Sequence, residues 1–432
     1  MTRKEVLKLV EQEDVEFIRL QFTDIQGNLK NMAVTAGQLA YVLDHKCAFD
    51  GNALYGDTGA VCEDLYLEPD LDTFVILPWR PQQGKVARFL CNVYREDGQR
   101  CQDSPRHILA RVLEKAAACG YSFVVDPECE FFLYHTDENG IPTTVTHDQG
   151  GYMDVGPLDL GENARRDMVL TLEEMGFQIE SSHHEQAPAQ HEIDFKEQEP
   201  LHCADSIVTF RSAVRSIGKR FGLHATFMPK PKEGMPGSGM HLNLTVYKDG
   251  GNLLACDGKK GVGKEAECFV AGILAHAKAL CAVTNPLVNS YKRLSSGFDA
   301  PKDVVCSVKK GNSLVWVRRS LGEEGRIELR FPDAAANPYL SMAACIAAGL
   351  DGVERGLAGA AFAPECYEKG QKVEALPGTL SEAIACFQED ALMSQVFGQD
   401  FVQIYCKAKQ EEWDSYMQQV TAWEIERYLY RV

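Results

Sequence analysis

Five glutamates and one histidine, spread over four short segments, are the residues of this chain best suited to chemistry. In Pro127-Glu128-Cys129-Glu130-Phe131, a strand would turn Glu128 and Glu130 to the same face, because side chains alternate with period two. Met240 to Val246 places His241, Asn243 and Thr245 on one face and the apolar residues on the other. Arg326, Glu328 and Arg330 likewise oppose Ile327, Leu329 and Phe331. The fourth segment, His184 to Ile193, carries Glu185 and Glu192 on either side of Pro188. Singly, each pattern is most often a solvated sheet face or a structural histidine. Gathered on one sheet, the carboxylates are tolerable only with cations among them. Carboxylate oxygens with a single imidazole suit Mg²⁺ or Mn²⁺ rather than zinc, and two such ions point to phosphoryl transfer.

The elements that must position these groups read as an α+β chain. Residues 1–100 are mostly short strands and turns after an opening amphipathic helix, with Val15–Leu20 and Thr73–Trp79 the clearest strands. Ser104-Pro105 has the form of a cap followed by a first-turn proline and opens a helix to about residue 119. The domain boundary is therefore expected near residue 101, giving units 1–100 and 101–432. Further helices are expected over about 162–175, 204–221, 264–283 and 338–356, with a helical tail from about 380. Gly258 to Lys264 imitates a phosphate-binding loop as far as its lysine. Glu265 stands where Ser or Thr is needed, so a solvated hairpin loop is the better reading.

Composition narrows the classes of partner. The 432 residues carry 44 Lys+Arg against 62 Asp+Glu, a net −18, which argues against nucleic acid or an anionic membrane as partner. The 15 cysteines are scattered, odd in number and without a C-x-x-C pair, as expected of free thiols in a reducing cytoplasm. No uninterrupted apolar run reaches membrane-spanning length, and the first residues lack the apolar core of a signal peptide, so a cytoplasmic protein is expected.

Longer motifs add a resemblance. Gly151-Tyr152-Met153-Asp154, Asp159 to Asn163, Arg165-Arg166-Asp167, Glu173 to Phe177, His183-His184-Glu185, His224 to Pro231, Asn289 to Leu294 and Ala335 to Tyr339 together resemble the bacterial type I glutamine synthetase family over nearly the whole chain. That resemblance implies a small N-terminal β-grasp domain and a larger catalytic domain with a curved antiparallel sheet and surrounding helices. It implies a dodecamer of two hexameric rings, whose active sites are completed at subunit interfaces. By the same resemblance, Glu130, Glu185 and Glu192 match the ligands of one divalent ion, and Glu128, His241 and Glu328 those of the other. Glu180, Asn243, Thr245 and Arg326 fall on the ATP side. Gly237, Arg293, Asp299 and Arg330 fall on the glutamate and phosphate side, with Asp50 assisting ammonium.

Several family positions differ here. The loop after Asp50-Gly51 reads Asn52-Ala53 in place of two serines, Pro236 replaces an asparagine, Asp299 replaces the flap glutamate, and Asn312 stands where a phosphate-facing arginine is expected. Arg318 or Arg319 is the nearest replacement, and Tyr367 does not fit the modified tyrosine of some members. All six metal ligands are intact, and the departures gather around acid and amine. The expected function is ATP-dependent ligation of glutamate and ammonia. The alternatives are a γ-glutamyl-amine (polyamine-type) ligase on the same scaffold and a nucleotide-binding paralogue without turnover.

Overall fold

The computed structural model describes residues 1–60, 62–80, 83–255, 263–298, 300–309, 311–318, 325–358, 362–363 and 373–432. Its opening helix, Arg3–Gln12, starts from a capping box in which Thr2 and Glu5 satisfy each other's backbone N–H groups. Six strands follow: β1 Val15–Thr23, β2 Leu29–Thr35, β3 Cys47–Phe49, β4 Leu65–Pro69, β5 Val75–Ile76 and β6 Lys85–Tyr94. They form one sheet in the order β2-β1-β6-β4-β3, with β5 also on β6. The β1–β2 pair is antiparallel, whereas β1 and β6 run parallel. A register shift between Val15 and Phe17 lets Val15 and Ile18 both point inward, three residues apart, and leaves Phe17 exposed.

The strand expected over Thr73–Trp79 is shorter than its sequence implies. Asp70 caps a 3₁₀ turn over Leu71–Thr73, only Val75–Ile76 pairs as a strand, and Arg80 N–H closes a turn onto the Leu77 carbonyl. Pro78 has no N–H to give to a ladder and ends the pairing.

The second sheet has eleven strands: β7 Tyr121–Thr136, β8 Pro142–Thr146, β9 Ile179–His184, β10 Gln190–Phe195, β11 Leu223–Thr226, β12 Met240–Lys248, β13 Gly251–Asn252, β14 Cys306–Ser307, β15 Val315–Arg318, β16 Arg326–Leu329 and β17 Phe362–Ala363. Its path is β17-β14-β15-β16-β12-β7-β10-β9, antiparallel from β15 to β9. The expected α+β architecture, with an N-terminal β-grasp sheet and a curled antiparallel catalytic sheet, is what the fold holds. The helix Pro200–Arg220 begins four residues before its expected start. Glu199 supplies the N-cap by accepting from the Leu201 and His202 N–H groups, a role the N-cap preferences give to shorter polar residues. The helix Pro105–Ala118 does have proline in its first turn, but the Ser104 hydroxyl makes no capping bond. Every described cysteine is a free thiol.

Behind the sheet, two apolar helices, Lys264–Thr284 and Pro338–Glu354, pack backbone to backbone. A Cβ on Gly272 would lie 2.1 Å from the Ala348 carbonyl oxygen, and one on Gly352 would lie 2.2 Å from that of Cys268. Lys264–Thr284 is long and apolar enough to cross a bilayer, but 83% of its most apolar window is buried inside this fold.

His276, in that helix, ties three helices together. Its Nδ1 faces Asp390 at 2.6 Å and its Nε2 faces Asp351 at 3.0 Å. Burial alone would lower its pKa, yet the hydrogen bonds to both carboxylates hold it above the ordinary histidine value. A raised folded-state pKa means the bridge contributes fully below the unfolded value of about 6.5 and is lost as pH climbs through the folded value. We expect His276→Gln to shrink the stability advantage of about pH 6 over about pH 9 by roughly 2 kcal/mol in urea unfolding. A variant with the parent's pH slope would show that the bridge contributes nothing.

Candidate active site

Strand register assembles the cluster. On β7, Glu130 sits opposite Glu192 of β10, and Glu128 sits opposite both Asp194 of β10 and His241 of β12. Glu328 of β16 pairs with Asn243 of β12, one step along from His241. Four strands thus bring one row of polar side chains to the same face while Leu242, Leu244, Ile327 and Leu329 fill the core behind.

Two groups of donors result. In the first, Glu128, His241 and Glu328 offer ligand atoms that all lie within 4.8 Å of one another. His241 Nδ1 is 3.0 Å from Glu128 and 3.6 Å from Glu328, and its buried Nε2 has no hydrogen-bond partner among the described residues. Burial would raise the Glu128 pKa, but hydrogen bonding from His241, its charge, and the Asn243 amide at 2.9 Å bring it down to about 2. Glu328 in turn accepts from Arg330 at 2.8 Å.

The second group is His183, Glu185 and Glu192, again with ligand atoms within 4.8 Å of one another. Glu130, expected with Glu185 and Glu192, is turned instead to N–H donors, accepting from Gly239 at 2.8 Å and Gln190 at 3.0 Å. Burial first, then the neighbouring carboxylates Asp194, Glu130 and Glu185, push the Glu192 pKa well up. Burial likewise raises Asp194 to about 7 and Asp126 to about 6, against the Arg326 guanidinium that holds Asp126 at 2.5 Å. Crowded buried carboxylates around Glu192 and, beside Glu128 and Glu328, an imidazole with an unpartnered nitrogen are donor sets that fit divalent cations. His183, Asp126 and Asp194 were missed in the sequence, although each of the two aspartates lies two residues from an expected ligand, on the same strand face.

Comparison with known proteins decides the family. The model of the glutamine synthetase catalytic domain matches residues 102–428, and that of the glutamine synthetase β-grasp domain matches residues 14–96. A glutamine synthetase of Clostridium saccharobutylicum is 49% identical over 99% of this chain and 98% of its own length. One from Staphylococcus aureus is 44% identical over the same shares. The chain belongs to the glutamine synthetase family. Among solved structures, apo GmaS and a GmaS/ADP complex each align with a TM-score of 0.87 and 31% identity, over 98% of this chain and 99% of theirs. The protein is a glutamine synthetase-type ligase.

Other expected residues of this glutamine synthetase-type site are distributed as follows. Arg293 is buried and donates to the carbonyls of Phe331 and Arg330. Gly237 has no room for a side chain, since a Cβ would lie 2.1 Å from the Pro229 carbonyl oxygen, and its own carbonyl accepts from Gln190. Asn243 and Thr245 are buried on β12, and Glu180 is exposed on β9. Arg318 donates to the Asn243 side-chain Oδ1 at 3.4 Å while stacking on Trp316, which puts it beside the cluster. Asn312 donates to the Gly297 carbonyl. Asp50 lies in the N-terminal unit, exposed, with its carboxylate accepting from the Asn52 N–H, and none of its hydrogen bonds reaches the cluster. Asp299, Arg319, Tyr367 and residues 256–262 lie outside the described residues. A cavity of about 760 Å³ lies elsewhere, between β1–β2 and the helix Pro200–Arg220, and holds no member of the carboxylate cluster.

Proposed function

We propose that the chain joins glutamate to ammonia at the expense of ATP, through a γ-glutamyl phosphate. The observation that carries this reading is the set of Glu128, Glu130, Glu192, Glu328 and His241 on one sheet face, with Glu185 in the adjoining turn between β9 and β10. The 49% identity to a protein named glutamine synthetase supports it. The γ-phosphoryl group passes from ATP to the glutamate γ-carboxylate, leaving ADP. Ammonia then attacks the acyl carbon, phosphate departs, and a proton is lost from nitrogen. Two divalent ions, Mg²⁺ or Mn²⁺, supply electrostatic stabilisation of the phosphate oxygens when bound. Glu128, His241 and Glu328 would hold one of them, and Glu130, Glu185 and Glu192 the other, with His183 within reach.

The chain's remaining residues orient and protect. Arg293 and Arg330 face glutamate and the transferring phosphate with fixed positive charge. Glu180, Asn243, Thr245 and Arg326 line the ATP side, and Arg318 takes the place of the missing arginine there. Gly237 belongs to the loop that lines the glutamate side. Asp50 would take the ammonium proton in the site of a neighbouring subunit, within a dodecamer of two hexameric rings. The β-grasp unit and the catalytic unit meet near residue 101, and the assembly works in the cytoplasm.

A second reading, ligation to an organic amine, is favoured by Asn52-Ala53, Pro236 and Asp299, and by the likeness to GmaS. Release of phosphate from ATP with glutamate and a panel of amines separates the two. Ammonia is expected to give the highest kcat/KM; a methylated or longer amine ahead of it would overturn the first reading. Asp299 gives a sharper test, because it is one C–C bond shorter than glutamate and misplacement on the order of 1 Å costs ~100-fold. Asp299→Glu is expected to lower ammonia-dependent turnover. A raised ratio of ammonia to amine use would indicate a pocket widened for an amine.

A further inference from the structure

Beside the cluster lies a second polar group that the reaction does not use: Asp148, Asp159, His184 and His191, all buried. Their ligand atoms are close enough to hold an ion, but Arg165 already occupies the cation's role. Its guanidinium donates to Asp159 at 2.8 Å and to His191 Nδ1 at 3.0 Å. Arginine has no acceptor, so His191 Nδ1 must be one and the proton must sit on Nε2, leaving that nitrogen no lone pair for a metal.

Asp148 and His184 do something else. His184 Nε2 faces Asp148 Oδ1 at 3.1 Å, and His184 Nδ1 donates to the Glu185 backbone carbonyl at 2.7 Å. The same Asp148 oxygen accepts from the Ala189 N–H at 2.7 Å, where Ala189 is held at φ +64°, an unfavourable region for a residue with a Cβ. The two side chains thereby grip both ends of the turn between β9 and β10. Within that turn the Glu185 N–H bonds the Gln190 carbonyl, and the Gln190 side chain reaches Glu130. Gly150 packs so tightly that a Cβ there would lie 2.8 Å from His184 Nε2.

We propose that Asp148 and His184 are a positioning pair that sets the spacing of Glu185, Glu192 and Glu130, and so the affinity of one metal ion. This rests on the metal reading above. Partners behind metal ligands are worth about 10- to 100-fold in affinity. Mn²⁺ binding to the full-length protein, followed by calorimetric titration and electron paramagnetic resonance, tests it, with sites assigned from Glu185→Gln and Glu328→Gln. His184→Gln keeps a donor only toward Asp148, whereas His184→Asn keeps one at the Nδ1 position toward the Glu185 carbonyl. Asp148→Ala, which removes the acceptor for the Ala189 N–H, and His184→Gln are expected to weaken the Glu185-side site about tenfold and spare the Glu328-side site, with His184→Asn restoring most of the loss at position 184. Equal weakening of both sites, or His184→Asn no better than His184→Gln, overturns the positioning role. If Glu185→Gln leaves Mn²⁺ binding intact, the metal reading itself fails and the inference falls with it.

Discussion

Glu328→Gln is expected to cut turnover by roughly 100-fold or more while leaving the fold intact. Glu328 is almost wholly buried and lies between two nitrogen groups that both face its carboxylate. Arg330 donates to it at 2.8 Å, and His241 stands 3.6 Å away. Glutamine preserves the volume but removes the charge that both neighbours require. Arg330 then loses its ionic partner on this strand, and the Glu128-side metal loses a ligand. Nucleotide affinity should therefore fall together with kcat. Glu130→Gln is the informative contrast, because Glu130 accepts from two N–H groups that an amide oxygen can still serve. It should spare nucleotide binding and weaken use of glutamate. Titration of a non-hydrolysable ATP analogue into both variants checks this, and indistinguishable nucleotide affinities would undo the assignment of the two metal sites.

Divalent metal is expected to stabilise the protein by about 2.7 kcal/mol at a concentration ~100 times its dissociation constant. The cause is visible in the cluster: Glu192 and Asp194 have raised pKa values because burial and neighbouring carboxylates oppose their ionisation. The sign follows from linkage. Between the unfolded value near 4 and the folded value of about 7 for Asp194, the native state holds a proton that the unfolded chain has released. Metal-free stability from these groups therefore falls as pH rises across that window. A bound cation removes the penalty, so its effect on the melting temperature should be larger at about pH 8 than at about pH 6. A melting temperature unmoved by millimolar Mg²⁺ and Mn²⁺ at either pH would count against the metal reading.

Much of this is legible in the sequence alone, for a physical reason. The period-two alternation in β7, β12 and β16 is a local property of the chain, so Glu128, His241 and Glu328 could be placed on faces from spacing alone. Which strands are neighbours is not local, and the Glu130–Glu192 and Glu128–His241 pairings depend on register. Asp126 and Asp194 do not stand out in the sequence, because an aspartate on a strand face reads as solvated until burial is known. His183 does not stand out in the sequence as a ligand, since its position between Glu185 and Glu192 comes from the hairpin turn. The Glu199 cap and the curtailed β5 show local rules outweighed by particular bonds.

The glycine-to-glycine seam between Lys264–Thr284 and Pro338–Glu354 has a consequence for synthesis. The first helix leaves the ribosome more than fifty residues before the second begins, yet its apolar surface is meant for that partner. For that interval the nascent chain displays a segment whose length and composition match a bilayer-spanning helix. Chaperones that guard emerging apolar segments, and the machinery that sorts membrane proteins, would both encounter it. The same apolar surface that packs closely in the finished catalytic unit thus leaves its half-made form open to misdirection and aggregation.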